Sequence, residues 1–469
     1  MGRTSGETQT HAKINVIPHQ PDLLREAAER ALAYIEALPS RRVSAAPEAV
    51  AALEGLREPL PESPSDPVQT LRLLDRLGSP ATMATAGPRF FGLVAGGALP
   101  VTLASTWLAA AWDQPASFFR LTPASALLEE IALGWIIELL KMPPTCAGAF
   151  VTGATLANTV SLAAARHRLL EGAGWNAEAD GLFGAPPLTV IVGEQAHASI
   201  FKALGLLGLG RSRVIRVPAD SEGRMRPEAL PHLTGPSIVC VQAGNVNSGA
   251  FDPIGEICRL VHPHGGWVHV DGAFGLWAAA TPSRSHLTAG LQEADSWATD
   301  GHKWLNVPYD SGLALVRDPV ALQAAMAITA DYLPQETPER NPSDFTPEMS
   351  RRSRGVEIWA ALRSLGREGV AEMIEHTCRH AIRFAEGLAA AGYEILNEVV
   401  LNQVLVSWGD TATTEKVIDA IQTDGTCWCS GTTWRGRPAM RISVSSWATT
   451  EADVERSLAA MIRAAEGRA

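Results

Sequence analysis

Cysteine is scarce in this chain. Six in 469 residues (Cys146, Cys240, Cys258, Cys378, Cys427 and Cys429) are too few for a disulfide scaffold at this length, so a reduced, cytoplasmic protein is expected. Cys427-Trp-Cys429 lacks the second ligand pair that a zinc site needs, and no metal site is expected. Long apolar runs are missing too. No stretch reaches the roughly 18 residues of a spanning helix, and the most apolar helical candidate, Leu127–Leu140, is broken by Glu129, Glu130 and Glu138. The polar N-terminus has no apolar core of a signal peptide. Positive charge is in deficit, with 39 Lys+Arg against 50 Asp+Glu and a net charge of −11. A surface of that sign repels phosphate backbones and anionic lipid, so neither nucleic acid nor membrane is an expected partner; a local pocket for one small anion remains allowed.

What is present is a foldable composition, 46% hydrophobic and 19% charged, which excludes a largely disordered chain. The length favours two or three globular units. Residues 1–80 read as an N-terminal helical arm. Apolar positions recur at helical spacing over Pro21–Leu38, a four-proline stretch spans Pro59–Pro67, and Val68–Leu77 is helical again. Residues 81–365 form a large domain. Its strand candidates are Leu188–Val192, Val214–Val217, Ser237–Val241, Trp267–Val270 and Leu313–Val316, with helices Ala157–Arg168, Ser199–Leu207 and Pro253–Val261 between them. Near-continuous apolar strands alternating with helices predict an α/β fold with a mostly parallel sheet. Residues 319–350, punctuated by Pro334, Pro338, Pro342 and Pro347, read as a lid or a disordered stretch. Residues 366–469 form a small α+β domain, with helices Gly369–Ala391 and Glu451–Ala465 and strands Glu394–Ile395, Val404–Trp408 and Met440–Val444.

Four features could carry chemistry. Asp271 ends a buried strand, where open α/β sheets place their ligands. It is either a helix cap or a core hydrogen-bonding group, or it forms a salt bridge to a protonated heterocycle. Lys303 follows 32 residues later between His302 and Trp304. It is either a surface lysine or a desolvated amine suited to Schiff-base chemistry. Gly153-Ala154-Thr155 opens a helix; it is an ordinary N-terminus or an anion cradle built from free backbone N–H groups. His197 lies just past a strand, as a structural ring or one that stacks on an aromatic cofactor. An amine for an aldehyde, a carboxylate for a pyridinium nitrogen, an anion cradle and a stacking ring are together the parts that pyridoxal 5′-phosphate requires.

The chain resembles the group II pyridoxal-phosphate amino-acid decarboxylases, the family of aromatic-L-amino-acid and glutamate decarboxylases. The likeness runs from about Pro88 to the C-terminus. It is carried by Pro88-Arg-Phe-Phe-Gly92, Thr122-Pro-Ala-Ser-Ala-Leu-Leu-Glu129, Gly153-Ala-Thr155, Glu194-Gln-Ala-His197, Ala250-Phe-Asp-Pro-Ile254, Val270-Asp-Gly-Ala273, His302-Lys-Trp304 and Arg351-Arg-Ser-Arg354. The resemblance implies the aspartate-aminotransferase-like fold (fold type I) and a homodimer with active sites at the interface, for which the N-terminal helices would provide covering. It implies that Lys303 holds the cofactor, and that Gly153, Ala154, Thr155, His197, Asn245, Asp271 and His302 surround it. It also implies that Tyr332, 29 residues past Lys303 and followed by Leu333, protonates the carbon left by CO2. In relatives that form aldehydes oxidatively this tyrosine is commonly replaced, so its presence favours plain decarboxylation. The substrate pocket falls around Phe90, Phe91, Gly92, Trp112 and Gln114, residues that would equally suit a core.

Two departures stand out. Gly244-Asn-Val-Asn247 replaces the family's Gly-Thr-Thr, leaving Asn245 to substitute for a hydroxyl, and Asp300 stands where asparagine is frequent. A carboxylate there would repel a phosphate unless it points away or is paired. The expected activity is decarboxylation of an L-amino acid, slightly favouring an aromatic one, through a Lys303 Schiff base and a quinonoid intermediate. The alternatives are oxidative decarboxylation–deamination, transamination, retro-aldol cleavage, or a non-catalytic protein that keeps the fold.

Overall fold

Aliphatic and small-residue runs supply the strands of a central sheet in the computed structural model, which describes residues 20–328 and 338–467. They are β1 (Ala147–Val151), β2 (Thr189–Gly193), β3 (Ile215–Val217), β4 (Ser237–Gln242), β5 (Trp267–Asp271), β6 (Ser296–Asp300) and β7 (Gly312–Val316), in the order β1-β7-β6-β5-β4-β2-β3. β7 runs antiparallel to both its neighbours, and the remaining ladders are parallel. The carboxyl ends of β1, β2, β4, β5 and β6 therefore share one edge.

Alternation along the strands feeds two cores. Ile191, Val239, Val268, Val270 and Leu315 face one layer, with the helices Pro123–Leu139 and Ile254–Val261 and the first part of Gly355–Ala390. Val190, Val192, Ile238 and Val316 face the other, under the helices Ala154–Gly172 and Ala198–Leu206. Trp277, Trp297 and Trp304 are almost fully buried, and each aromatic of that size contributes roughly 1.5–3 kcal/mol by leaving water. Their indole N–H groups are satisfied by Asp300 O, Leu291 O and Thr377 Oγ1.

A second sheet, fully antiparallel, orders as β10-β11-β9-β8, from β8 (Glu394–Ile395), β9 (Gln403–Ser407), β10 (Ser430–Trp434) and β11 (Arg437–Ser443). Arg435 and Gly436 join β10 to β11 with φ of 51° and 77°, the geometry that right-twisted hairpins favour. The helices Thr411–Asp424 and Glu451–Ala465 pack on this sheet, the latter opened by a Thr450–Asp453 capping box. Its core also takes Phe91, from far upstream, edge-on to Phe384 at 5.0 Å. The long Gly355–Ala390 helix is interrupted at Gly366, whose φ is 60°.

The residues up to Ala84 form a separate unit. Its helices Gln20–Ala37 and Pro67–Ala81 are tied by Arg30 and Arg72 on Glu26 and by Arg30 on Asp75. No residue of Pro67–Ala81 is buried, and Leu24 and Leu74 stay exposed.

All five expected strands of the large sheet are present within a residue or two. β1 and β6 were not anticipated: β1 is Ala- and Gly-rich, and β6 carries Ser, Thr and Asp into full burial. The helix Thr411–Asp424 and strand β10 were missed for similar reasons of polar composition. The stretch 319–350 needs correction in both flanks. Pro319–Met326 is a helix capped by Asp318, while Arg340 pairs with Glu129, Asn341 accepts from Phe119 N and Ser343 bonds Ser117 O. Residues 329–337, with Tyr332, lie outside the described residues.

A Cβ at Gly312 would stand 2.4 Å from Gly153 Cα. Because backbone must move to admit it, Gly312→Ala should cost roughly 2 kcal/mol or more in chemical denaturation.

Candidate functional site

The carboxyl edge of the large sheet gathers the chemistry-bearing residues. Asp271 closes β5 and is nearly buried. Its Oδ2 accepts from Asn158 Nδ2 at 3.3 Å and Ser199 Oγ at 3.2 Å, and its Oδ1 from Ala273 N at 3.3 Å. These are core hydrogen bonds together with one local backbone contact, and they put the carboxylate at the end of a polar chain crossing the core. Trp267 Nε1 donates to Ser296 Oγ, which bonds His269 Nδ1; His269 Nε2 bonds Asn158 Oδ1. Asn158 uses its amide nitrogen toward Asp271 and its oxygen toward His269, so His269 Nε2 is the donor and Nδ1 accepts from Ser296. Burial pushes His269 down to about 4, which matches a neutral ring in this sequence of bonds.

His197 caps the Ala198–Leu206 helix, its Nδ1 accepting from Ser199 N at 3.2 Å and lying 2.9 Å from Ser199 Oγ. Burial lowers its pKa, against the pull of Asp271. Ser199 thus joins His197 to Asp271.

Lys303 follows β6 on the connection to β7. Its Nζ lies 3.0 Å from Asp300 Oδ2, and Asp300 Oδ1 accepts from Ala154 N at 2.5 Å. Asp300 is accordingly paired rather than pointing away, and it takes the first N–H of the Ala154–Gly172 helix. His302 stands beside it, Nε2 3.7 Å from Asp300 Oδ1, with Nδ1 accepting from Ser311 N and its ring 4.3 Å from that of Tyr309. Burial lowers the His302 pKa and raises that of Tyr309. Gly153 borders the same space: a Cβ there would come to 3.2 Å from His302 Cε1 and 3.4 Å from Asp300 Oδ1.

Asn245 lies two residues past Ala243, whose N–H donates to Asp271 O. Its Oδ1 accepts from Asn247 N and Ser248 N, while its buried Nδ2 has no partner among the described residues. Arg441 on β11 was not anticipated. It is a partly buried cation whose charge reaches His197, with Nη1 on Val246 O and Nε unpartnered among the described residues. The signal was available: an arginine between Met440 and Ile442 in an apolar strand.

The residues expected to form the substrate pocket have varied surroundings. Phe91 is core, Phe90 stacks on Trp428 at 5.0 Å, Trp112 is exposed at the end of the Pro100–Trp112 helix, and Gln114 Nε2 donates to Trp112 O. Gln114 also lines a surface cavity of about 360 Å³ with Arg351 and Arg352. All six cysteines are buried with free thiols, and no cluster of three or more metal-ligating side chains occurs among the described residues. No helix among them is long and apolar enough to cross a membrane.

The donor set fits a phosphorylated pyridine aldehyde. It offers an amine, a buried carboxylate locked by three donors, a glycine-lined helix start and a spare amide donor. The architecture is the aspartate-aminotransferase-like α/β fold, shared with the crystal structure of Oryza sativa TDC with PLP and tryptamine (TM-score 0.87, 22% identity, 96% of this chain and 98% of that one). The sequence matches the Pyridoxal-dependent decarboxylase conserved domain over residues 61–408, and the chain belongs to that family of pyridoxal-phosphate-dependent carboxy-lyases. Relatives include an aromatic-L-amino-acid decarboxylase of Bacillus atrophaeus, 27% identical over 363 residues (75% of this chain, 73% of the relative). A phenylacetaldehyde synthase of Arabidopsis thaliana is 25% identical over 435 residues (86% and 87%).

Because His269 is held below its ordinary value of 6.5, the neutral ring favours the fold above that pH, and its contribution is lost as pH falls toward about 4. The denaturation midpoint should drop across that window by up to about 3 kcal/mol in free-energy terms, and His269→Gln should flatten the drop. An unchanged slope in the variant would place the acid sensitivity elsewhere.

Proposed function

We propose that this protein decarboxylates an L-amino acid, an aromatic one in preference, releasing the amine and CO2. The observation that carries this reading is the convergence of Lys303 and a fully braced Asp271 on one sheet edge. When bound, pyridoxal phosphate supplies an aldehyde for an amine and a ring that takes up the electron pair of the broken carbon–carboxylate bond. In this reading Lys303 is the amine that holds the cofactor and later releases the product. Asp271 holds a proton on the ring nitrogen; Asn158, Ser199 and Ala273 keep the carboxylate oriented for that task. His197 offers its neutral ring for stacking, and Gly153, Ala154, Thr155 and His302 receive the phosphate. Asn245 Nδ2 provides a donor where relatives commonly have a hydroxyl. Tyr332 delivers a proton to the carbon that has lost CO2.

Phe90, Trp112 and Gln114 contribute to the substrate pocket through assembly of a cytoplasmic homodimer, in which the exposed Trp112–Gln114 stretch faces the neighbouring subunit's site. Phe91, packed on Phe384, supports the Phe90 backbone from behind. The similarity to a phenylacetaldehyde synthase keeps an aldehyde-forming reaction as the second reading.

Mass spectrometry of products from the holoprotein and a panel of L-amino acids tests both. An amine and CO2 from an aromatic member is expected; an aldehyde would establish the second reading, and an amine from an acidic member alone would move the substrate class. Tyr332→Phe should lower amine formation by about 10²-fold or more while the cofactor's visible absorbance persists. Lys303→Ala should abolish the absorbance of the lysine-bound cofactor.

A further inference from the structure

Asp300 is the residue whose position the family's chemistry does not explain. Its side chain is only 3% exposed, yet it carries a carboxylate into the mouth of an anion cradle. Oδ1 takes the Ala154 N–H at 2.5 Å, the leading free donor of a 19-residue helix, and Oδ2 takes the Lys303 ammonium at 3.0 Å. A carboxylate in these contacts occupies two of the groups that cofactor loading needs: a backbone donor for the phosphate, and the amine for the aldehyde.

Resting on the assignment of this site to pyridoxal phosphate, we infer that Asp300 is an internal anion of the phosphate cradle that sets cofactor affinity. It weakens the protein's preference for the phosphorylated over the unphosphorylated cofactor and makes the cofactor exchangeable. Without cofactor, the Lys303 ammonium balances the Asp300 charge across 3.0 Å. The Lys303 ammonium gives one proton to solvent, and condensation of the free amine with the aldehyde breaks the carbonyl bond, forms one carbon–nitrogen double bond and releases one water, so the ammonium paired with Asp300 is replaced by an imine nitrogen. The same event brings a phosphate to the helix start. His302 does not replace the lost cation, since its Nε2 is 3.7 Å away and burial favours its neutral ring. Two anions then compete for one set of backbone donors in a site of low dielectric, where like charges a few ångströms apart are costly. Occupancy would follow the free cofactor concentration, giving this chain a way to exist partly unloaded.

The test compares wild-type and Asp300→Asn apoprotein, titrated with pyridoxal phosphate and, separately, with pyridoxal, following tryptophan fluorescence and visible absorbance. Asparagine keeps an oxygen to accept from Ala154 N–H and removes only the charge; Asp300→Ser serves as the second uncharged variant should the first fold poorly. The ratio of the two dissociation constants isolates the phosphate. It should shift toward pyridoxal phosphate by roughly tenfold or more in the uncharged variants, with slower loss of cofactor on dilution. An unchanged ratio, or one shifted toward pyridoxal, would overturn the inference. Failure of the wild type to bind either compound would instead overturn the cofactor assignment, so the two failures are distinguishable.

Discussion

A charged carboxylate held at the end of a buried strand is the constraint around which this site is organised. A carboxylate buried beside Val270, Phe274 and Leu276 needs hydrogen-bond partners, because an unpaired buried charge costs several kcal/mol. The fold supplies them from three directions: Asn158 from a helix, Ser199 from the start of another, and Ala273 from its own turn. Each partner is fixed in turn. Asn158 is oriented by His269, His269 by Ser296, and Ser296 by Trp267. A polar network with every member assigned a direction rigidifies a core, whereas a half-satisfied one would loosen it. The sheet order brings these residues together, since β5 and β6 are neighbours and the helix bearing Asn158 lies across them.

The second organising element is the reversal at β7. The connection from β6 to β7 carries Lys303, and Asp300 at the end of β6 joins that lysine to the helix start that follows β1. Gly312 at the beginning of β7 comes so close to Gly153, just past β1, that a side chain at 312 would run into the Gly153 backbone, whereas one at 153 would meet His302 and Asp300. The carboxylates of Asp271 and Asp300 therefore have their relative positions set by strand pairing, and Lys303 is held three residues past the end of β6 by its contact with Asp300.

Much of this was legible beforehand. Asp271 and Lys303 were recognisable because strand ends followed by small residues are where α/β sheets keep ligands, and the spacing between the two is specific. The fold class followed from apolar runs alternating with helices. Asn158, Ser199 and Arg441 were not legible, because a buried polar side chain on a helix or strand looks like any other until its distant partner is known; Asn158 and Asp271 are 113 positions apart. β6 escaped notice because Ser296, Thr299 and Asp300 break the apolar pattern, and it is their hydrogen bonds across the core that make their burial tolerable. Motif membership marked Phe91 as an expected pocket residue but did not reveal that it packs in the small sheet's core. Asp300 was visible as a departure, and only coordinates could show that its charge is paired.

The position of β1 has a consequence for synthesis of the chain. Among the described residues it is an edge strand paired only with β7, and the ribosome delivers that neighbour long after β1 itself has emerged. Until Val316 is available, the turn at Gly153 has no ladder to hold it, however complete the preceding helices are. A nascent chain halted before Lys303 lacks the lysine, and one halted before Gly312 leaves β1 without its partner strand. Pairing of β1, and with it the support of the turn at Gly153, therefore belongs to chains translated through β7, a contact of high sequence separation that forms late.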